Sequence, residues 1–419
     1  MSRRQDYIWN SAAGGMGAAE LVVMTMVTSR NGVILDVGVL TFAFAVGNLL
    51  MTVGKFGARV YHATDVARLF CYKTYLRCRI ATIALMVIAL FAYLSFQYSQ
   101  HEWSNDKTLA VIWVSAIYAI ETVEDCICGE LQRNSFLYVG GQMFVARWGA
   151  IFVAFSITLS IVPSLAMALL VGFVASLVVF VTWVLIIKRR LSGLSDIGVA
   201  ARQQRDAPTS NDNVPSLLKH LSPLFLASFL VMYLYNAPKF AIDNIMTDEA
   251  QAYFGLVSTP SFLIMLFHQF VYQPSLPTIA AEWTSGNVRA FRRRVRRQTL
   301  ALLAISAVCI ALAAILGIPF LSCLYHVDLS GYWRELVILQ VVGIFLALSG
   351  YLTVLLTIMR EGKRLLLGYA STTALALLIV GPLTRASGTI GASCGYLLAM
   401  LCLSLFFGVM YSLKIKESI

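Results

Sequence analysis

The chain alternates between long apolar segments and shorter polar segments from one end to the other. Each apolar segment runs for roughly 20 residues, the length that an α-helix needs to cross about 30 Å of hydrocarbon. Segments this long and continuous differ from the short alternating strands of a membrane β-barrel, which is therefore excluded. The pattern predicts twelve transmembrane helices, at residues 10–29, 36–54, 80–99, 108–127, 136–159, 163–187, 221–240, 252–273, 299–318, 335–358, 365–383 and 390–412.

The composition excludes soluble classes of protein. Hydrophobic residues make up 59% of the chain and charged residues 13%, whereas soluble domains average about 45–50% and about 25%. So little charge cannot cover a surface in water, which excludes a secreted domain and a cytosolic enzyme. The predicted fold class is an all-α polytopic membrane protein.

The net charge of +11 reports orientation rather than a nucleic-acid partner. Of the 32 Lys and Arg residues, 26 fall on the side of the predicted spans that carries the N-terminus, four on the opposite side and two within spans. Cytoplasmic loops are enriched in Lys and Arg, so both termini are expected in the cytoplasm. Six arginines within residues 289–297 are expected to lie against anionic lipid headgroups, and no nucleic-acid partner is expected.

The longest polar stretch divides the chain near its middle. Residues 191–220 contain prolines, serines and asparagines typical of a flexible linker, with six predicted spans before them and six after. The sequence therefore predicts an N-terminal six-helix lobe at 1–190, a cytoplasmic linker at 191–220 and a C-terminal six-helix lobe at 221–419. Two lobes with the same orientation are typical of transporters built from parallel repeats, which place a cavity at the centre.

The sequence lacks the P-loop of ATPases and the H-E-x-x-H helix of zinc metalloproteases. The pair Cys126 and Cys128 lacks the spacing of a zinc knuckle. The histidines are scattered, at His62, His101, His220, His268 and His326. We therefore expect no enzyme, no metal site and no cofactor, which leaves transport as the default function.

Carboxylates inside predicted spans are the first candidates for function, because each is costly in hydrocarbon. Glu20 lies midway along the first span and is interpreted either as an ion-coupling residue or as a partner in an interhelical hydrogen bond. In the fourth span, Glu121, Glu124 and Asp125 share one helical face with Tyr118 a turn away. They are candidates for ion coupling, and the alternative is a structural cluster that basic residues near the cytoplasmic end neutralise.

Arg147, in the fifth span, is the deepest strong cation of the first half. A guanidinium stays protonated in a protein, so this side chain must pair with a carboxylate or bind an anion. Both interpretations remain open on the sequence alone: a static pair with Glu121 or Glu124, or a contact to an anionic substrate.

The seventh span ends in a second group of polar residues beside a proline. Tyr235 and Lys239 are four residues apart, and Asn236 and Lys239 are three apart, so phenol, amide and ammonium groups share a face. Pro238 removes one helical N–H, and Pro260 does the same in the eighth span, so both helices are predicted to kink or open. The prolines are therefore candidate gating residues. For Lys239 the alternative is snorkelling toward the outer interface.

The sequence around these residues resembles that of bacterial polysaccharide flippases, the lipid-linked oligosaccharide translocases of the multidrug/oligosaccharidyl-lipid/polysaccharide exporter superfamily. The resemblance is densest from 233 to 360 and covers about a third of the chain in recognisable motifs. These motifs lie at residues 236–243, 251–255, 260–262, 272–274, 317–325, 357–360 and 61–65, with Tyr75 and Arg79.

The resemblance implies a carrier that moves an isoprenoid-diphosphate-linked oligosaccharide from the inner to the outer leaflet of the bacterial cytoplasmic membrane by alternating access. Cations of the cavity would meet the diphosphate, a role carried to Lys239 inside the matching motif and to Arg147 outside it. Tyr235, Asn236 and Gln269 are expected to face the sugar. Coupling to H⁺ or Na⁺ would act at Glu20, and the expected partners are membrane lipids and polysaccharide assembly enzymes, with the protein itself a monomer.

Two other functions are consistent with parts of the sequence. An organic-cation antiporter of the related multidrug type would use Glu20 and the carboxylates of the fourth span to bind its substrate. A glycan polymerase or ligase in the membrane tends to need a large external loop with catalytic residues, and the longest external segment, at about 319–334, offers only His326, Asp328 and Arg334.

Overall fold

The computed structural model describes residues 2–64, 69–100, 103–133, 136–195 and 213–417, and every regular element in these ranges is helical. The predicted all-α class is confirmed. The chain separates into two compact units, residues 1–229 and 230–419.

The first unit contains seven helices and the first half of an eighth. The helices are α1 (Ser2–Asn31), α2 (Ile34–Lys55), α3 (Ala58–Thr64), α4 (Tyr72–Gln100), α5 (Asn105–Arg133), α6 (Leu137–Ile161), α7 (Leu165–Ser195) and α8 (Val214–Ile245). The N-terminal turns of α8 belong to this unit: Leu217 and Leu221 are buried against Phe56 and Phe70, and Phe225 stacks on Phe56 with ring centroids 4.1 Å apart.

The second unit contains the rest of α8 and seven further α-helices, some of them interrupted. They are α9 (Asp248–Ser258), α10 (Ser261–Tyr272), α11 (Leu276–Thr284), α12 (Val288–Leu312), α13 (Ile318–Tyr325), α14 (Trp333–Ile358) and α15 (Gly362–Glu417). A short π-helical segment at Ala313–Gly317 joins α12 to α13.

All twelve predicted spans coincide with helices. Ten helical stretches of the described chain are long and apolar enough to cross a membrane, and the last of them, Gly362–Glu417, contains the two final predicted spans. The remaining predicted span is α5, whose carboxylates lower its hydropathy. These helices indicate a multi-pass membrane protein.

The predicted linker lies mostly outside the described residues, which stop at 195 and resume at 213. At its two ends, residues 191–195 continue α7 and residues 214–220 begin α8. Both ends of the predicted linker are therefore helical.

Two helix breaks lie at a proline or a glycine, whereas another proline leaves its helix continuous. The eighth span divides at Pro260, between α9 and α10, as predicted. Within α15 the chain turns at Ser387 and Gly388, and Gly388 has φ +60°, which glycine adopts without strain. The predicted opening at Pro238 is wrong, because α8 continues through it to Ile245. A long helix tolerates one missing N–H when packing satisfies or shields the freed carbonyl.

Candidate functional site

The carboxylates of α5 lie at a meeting point of five helices in the first unit. Glu121, Glu124 and Asp125 are all buried. Their spacing along the helix places them on one face, as the sequence predicts, and that face meets cationic side chains of α2, α3, α4 and α6. The site is therefore built by tertiary contacts among segments that are far apart in sequence.

Arg147 is fully buried and binds two of these carboxylates. Its Nε donates to Glu124 Oε2 at 2.6 Å, and its Nη2 donates to Glu121 Oε2 at 2.9 Å. Its Nη1 lies 3.4 Å from the hydroxyl of Ser176. The ring faces of Phe144 and Trp148 cover the guanidinium at 5.5 Å and 5.4 Å. Of the two interpretations left open by the sequence, the structure shows the static pair.

Glu121 is the most heavily hydrogen-bonded carboxylate of the site. Besides Arg147, it accepts from Lys55 Nζ at 2.9 Å and from Trp148 Nε1 at 3.2 Å. Lys55 ends α2 and is partly exposed, whereas Glu121 is buried. With three donors on two oxygens, Glu121 is held as a carboxylate that has little capacity left for a ligand.

Asp125 anchors the end of α2 through Arg79. The Nη2 of Arg79 donates to Asp125 Oδ2 at 3.0 Å, and its Nη1 donates to the carbonyl oxygen of Gly54 at 2.5 Å. Thr82 donates to the same carbonyl at 2.8 Å. Arg59, on α3, forms a longer ion pair with Asp125 at 3.5 Å. Arg79 thus binds a carboxylate and, together with Thr82, satisfies a carbonyl at the C-terminus of α2.

Glu20 completes the site from α1. The hydroxyl of Tyr118 donates to Glu20 Oε2 at 3.1 Å, and Glu20 lies close enough to Glu121, Arg147 and Lys55 to interact with their charges. Unlike the α5 carboxylates, Glu20 is only half-buried. The structure thus shows the interhelical hydrogen bond that the sequence offered as one interpretation, and leaves this carboxylate without an ion pair among the described residues.

We call these eight ionisable side chains the charge cluster: Glu20, Lys55, Arg59, Arg79, Glu121, Glu124, Asp125 and Arg147. Its four carboxylates match its four cations, so the cluster is neutral when all are charged. Sequence reasoning missed Lys55, Arg59 and Arg79. The available signal was the need for cations to match three α5 carboxylates, together with the basic segment that directly follows α2.

Close packing of α2 on α5 positions the cluster. A Cβ at Gly47 would lie 2.8 Å from the ring of Tyr118, and a Cβ at Gly54 would lie 2.7 Å from Thr122 Cγ2. Only glycine allows these backbone approaches, which bring the end of α2 to Glu121 and Asp125.

Lys239, in the second unit, has a different environment from the cations of the charge cluster. It lies on α8 with 6% of its surface exposed. Among the described residues, no carboxylate forms an ion pair with its ammonium. Burial to this extent disagrees with snorkelling into water and leaves the cation available to an anion.

The predicted neighbours of Lys239 lie near it along α8 but do not bind it. The amide nitrogen of Asn236 donates to the carbonyl oxygen of Met232 at 3.0 Å, within its own helix. Tyr235 lies close enough to Tyr272, Tyr369 and Tyr396 for electrostatic interaction. The phenol therefore belongs to a group of tyrosines that the sequence did not bring together.

For two other predicted residues, the structure gives only their position in the chain of helices. Gln269 lies on α10, and its side chain is outside the described part of the structure. Pro260 lies at the break between α9 and α10. Gln251 lies on α9, in the motif at 251–255. It is fully buried, and neither of its amide atoms has a hydrogen-bond partner among the described residues. Buried amide atoms without a partner are rare in folded proteins.

Among the described residues, no three His, Cys, Asp or Glu side chains are arranged to hold a metal ion.

Comparison with known proteins finds structural relatives only. No family model and no curated protein matches the sequence. The fold is similar to an inward-facing multidrug resistance MATE family transporter of the MOP superfamily, with a TM-score of 0.66 and 15% identity over 100% of this chain and 97% of that one. It is also similar to an outward-facing transporter of this description, with a TM-score of 0.62 and 14% identity over 99% and 95% of the two chains.

A third relative is a MOP superfamily transporter from Pyrococcus furiosus, with a TM-score of 0.58 and 16% identity over 98% and 95% of the two chains. Its description states that reversed polarity of its binding pocket suggests a different function. At these identities the likeness shows a shared fold. The chain has the MATE-like transporter fold.

Proposed function

We propose that this protein is an alternating-access transporter that moves an isoprenoid-diphosphate-linked oligosaccharide between the leaflets of a bacterial cytoplasmic membrane. The observation that carries the proposal is Lys239, a buried cation that no described carboxylate neutralises. A diphosphate headgroup supplies the negative charge that this position lacks.

The energetics of burial favour an anionic ligand at Lys239. A buried charge without a partner is strongly unfavourable, and in membrane spans such residues typically mark substrate or ion pathways. The cations of the charge cluster are held by carboxylates, and Arg147 in particular donates to both Glu121 and Glu124. We therefore assign the diphosphate contact to Lys239 alone, with Asn236 and Tyr235 nearby on the same helix, and give Arg147 a structural role.

The fold supports the transport mechanism. Relatives with this fold are described in inward-facing and outward-facing conformations, which are the two states that alternating access requires. The description of the Pyrococcus furiosus relative states that the reversed polarity of its binding pocket suggests a different function. In this fold the sign of the pocket charge is therefore informative, and an unneutralised lysine favours an anionic substrate.

Lys239→Gln tests the proposal most directly. In vesicles reconstituted with the purified protein, we expect this variant to translocate a fluorescent isoprenoid-diphosphate oligosaccharide at least about tenfold more slowly, which corresponds to about 1.4 kcal/mol. Lys239→Arg should retain more activity than Lys239→Gln. The matched control is Lys219→Gln, which removes an exposed lysine from the same helix and should leave the rate unchanged. Equal rates for the two glutamine variants would overturn the assignment.

The alternative is an organic-cation antiporter, which one observation favours. Glu20 is half-buried and accepts a single phenolic hydrogen bond, so its carboxylate could receive a cation. Cells lacking the protein distinguish the two functions. Loss of surface polysaccharide with unchanged drug sensitivity supports the flippase, and increased accumulation of a cationic dye such as ethidium with intact polysaccharide supports the antiporter.

The proposal also covers the topology, the partners and the ion coupling of the protein. Both termini would lie in the cytoplasm, as the distribution of Lys and Arg predicts. The protein would act as a monomer beside the enzymes that assemble and use the lipid-linked oligosaccharide. Coupling to H⁺ or Na⁺ would act at Glu20, since it is the carboxylate of the charge cluster without an ion pair.

A further inference from the structure

A large basic cavity lies at the start of α12, and its lining includes neither Lys239 nor any residue of the charge cluster. It has a volume of about 1110 Å³, and its walls come from the turn at Gly286, the first turns of α12 and Tyr411 of α15. No acidic residue lines it. Its basic residues are Arg289, Arg292, Arg293 and Arg296.

The four arginines are placed together by helical periodicity. Their spacing of three, four and seven residues from Arg289 puts their side chains on one face of α12. All four are exposed. None of them forms a hydrogen bond or ion pair with a described residue. We call this group the arginine face.

The neighbouring Arg294, unlike the four residues of the arginine face, is paired with a carboxylate. It binds Glu282 of α11 through two donors, with Nε 3.0 Å from each carboxylate oxygen and Nη2 2.6 Å from Oε1. Glu282 thus neutralises one arginine, which does not line the cavity, and leaves the arginine face uncompensated. Four guanidinium groups this close repel one another, and a polyanionic group between them would offset that repulsion.

The cavity also crosses from a polar to an apolar environment. Beyond Arg296 its lining continues with Thr299 and Leu300, where the ninth span is predicted to enter the hydrocarbon. Leu300 is 55% exposed. Opposite, Tyr411 supplies an aromatic ring with a polar hydroxyl, a side chain typical of membrane interfaces. The cavity thus combines a charged end and an apolar end in the order found in a phospholipid.

We propose that this cavity binds the phosphate headgroup of an anionic membrane lipid, with the arginine face on the phosphate and the first part of an acyl chain along Thr299 and Leu300. This site is separate from the proposed transport substrate. It goes beyond the general attraction of basic segments for anionic membranes, because a defined cavity and one helical face supply the contacts.

Native mass spectrometry of the purified full-length protein in neutral detergent tests the site. The protein is titrated with phosphatidylglycerol and, separately, with phosphatidylcholine. We expect phosphatidylglycerol to bind saturably and more tightly. Changing Arg289, Arg292, Arg293 and Arg296 together to Gln should weaken phosphatidylglycerol binding at least tenfold, and the corresponding Lys variant should retain more affinity than the Gln variant. If the fourfold Gln variant does not fold, Arg292→Gln and Arg296→Gln are measured singly and should each weaken binding.

The matched control removes the same charge elsewhere. Changing Lys73, Arg77, Lys188 and Lys219 to Gln takes four exposed cations from the first unit and should weaken binding less than twofold. An equal loss in both sets would show non-specific attraction and overturn the proposal. Inorganic phosphate distinguishes a lipid from a free anion: if it displaces phosphatidylglycerol at equal concentration, the cavity is a phosphate site and the proposal is wrong.

Discussion

Arg147 Nε donates to Glu124 Oε2 at 2.6 Å, and both side chains are almost completely buried. The second carboxylate oxygen of Glu124 has no hydrogen-bond partner in the described structure. Arg147 is therefore the main compensation for the charge of Glu124. Because each residue lies deep in the first unit, removing one leaves the other as a buried ion with inadequate partners.

The first prediction concerns the stability of this pair. Arg147→Met should lower the free energy of unfolding by about 3–5 kcal/mol, since Glu121 and Glu124 lose a shared cation. The double variant Arg147→Met with Glu124→Met should be more stable than the single variant, because two apolar side chains replace a buried ion pair. Unfolding followed by circular dichroism in mixed micelles measures both. Additive effects of the two substitutions would contradict a direct interaction.

The second prediction concerns the packing of α2 on α5. Gly54→Ala should destabilise the protein by about 1–3 kcal/mol, because the new Cβ would lie 2.7 Å from Thr122 Cγ2 and 2.9 Å from Met86 Sδ. Gly149→Ala is the matched control in the same unit, since no atom lies within 4 Å of its added Cβ. The control should be neutral or slightly stabilising. Thermal unfolding in detergent compares the two, and equal midpoints would contradict the close packing.

Much of the fold was predictable because the bilayer fixes the length of an apolar segment. All twelve predicted spans lie in helices, and the common face of Glu121, Glu124 and Asp125 follows from spacing within one helix. The cations that bind these carboxylates could not be predicted from that spacing. Lys55 reaches Glu121 across 66 residues, and Arg79 reaches Asp125 across 46. Spacing within a helix carries no information on which distant cation will meet each carboxylate.

Pro238 and Pro260 show the same limit for the backbone. Both prolines remove a helical N–H, yet the helix breaks at Pro260 and continues through Pro238. The sequence predicts the missing hydrogen bond, whereas the neighbouring helices decide whether the backbone opens there. Gating at either proline therefore remains a prediction.

The third prediction concerns the turn inside α15. Gly391→Ala should destabilise the protein by about 3 kcal/mol or more, because its Cβ would overlap the backbone carbonyl of Leu383, which cannot move aside as a flexible side chain can. Gly381→Ala lies in the same helix with no atom within 4 Å of the added Cβ and should be tolerated. Expression level and thermal unfolding of the two variants provide the measurement. A tolerated Gly391→Ala would contradict the close turn at this position.

The fourth prediction tests ion coupling at Glu20. Glu20→Gln keeps the size of the side chain and an oxygen that can accept from Tyr118, but removes the charge. If the charge of Glu20 responds to a transported ion, this variant should lose the dependence of transport on an H⁺ or Na⁺ gradient while its stability changes little. Moving one unit charge through a potential of about 100 mV exchanges about 2.3 kcal/mol, so the loss should be readily measurable.

The measurement compares transport by reconstituted vesicles with and without each gradient. The matched control is Glu249→Gln, which removes an exposed carboxylate from α9 and should transport with an unchanged gradient dependence. Tyr118→Phe removes the hydrogen bond but leaves the charge of Glu20, so it should shift the gradient dependence without abolishing it. If Glu20→Gln remains fully active and equally dependent on the gradient, Glu20 serves only as an interhelical hydrogen-bond partner, and coupling must act elsewhere.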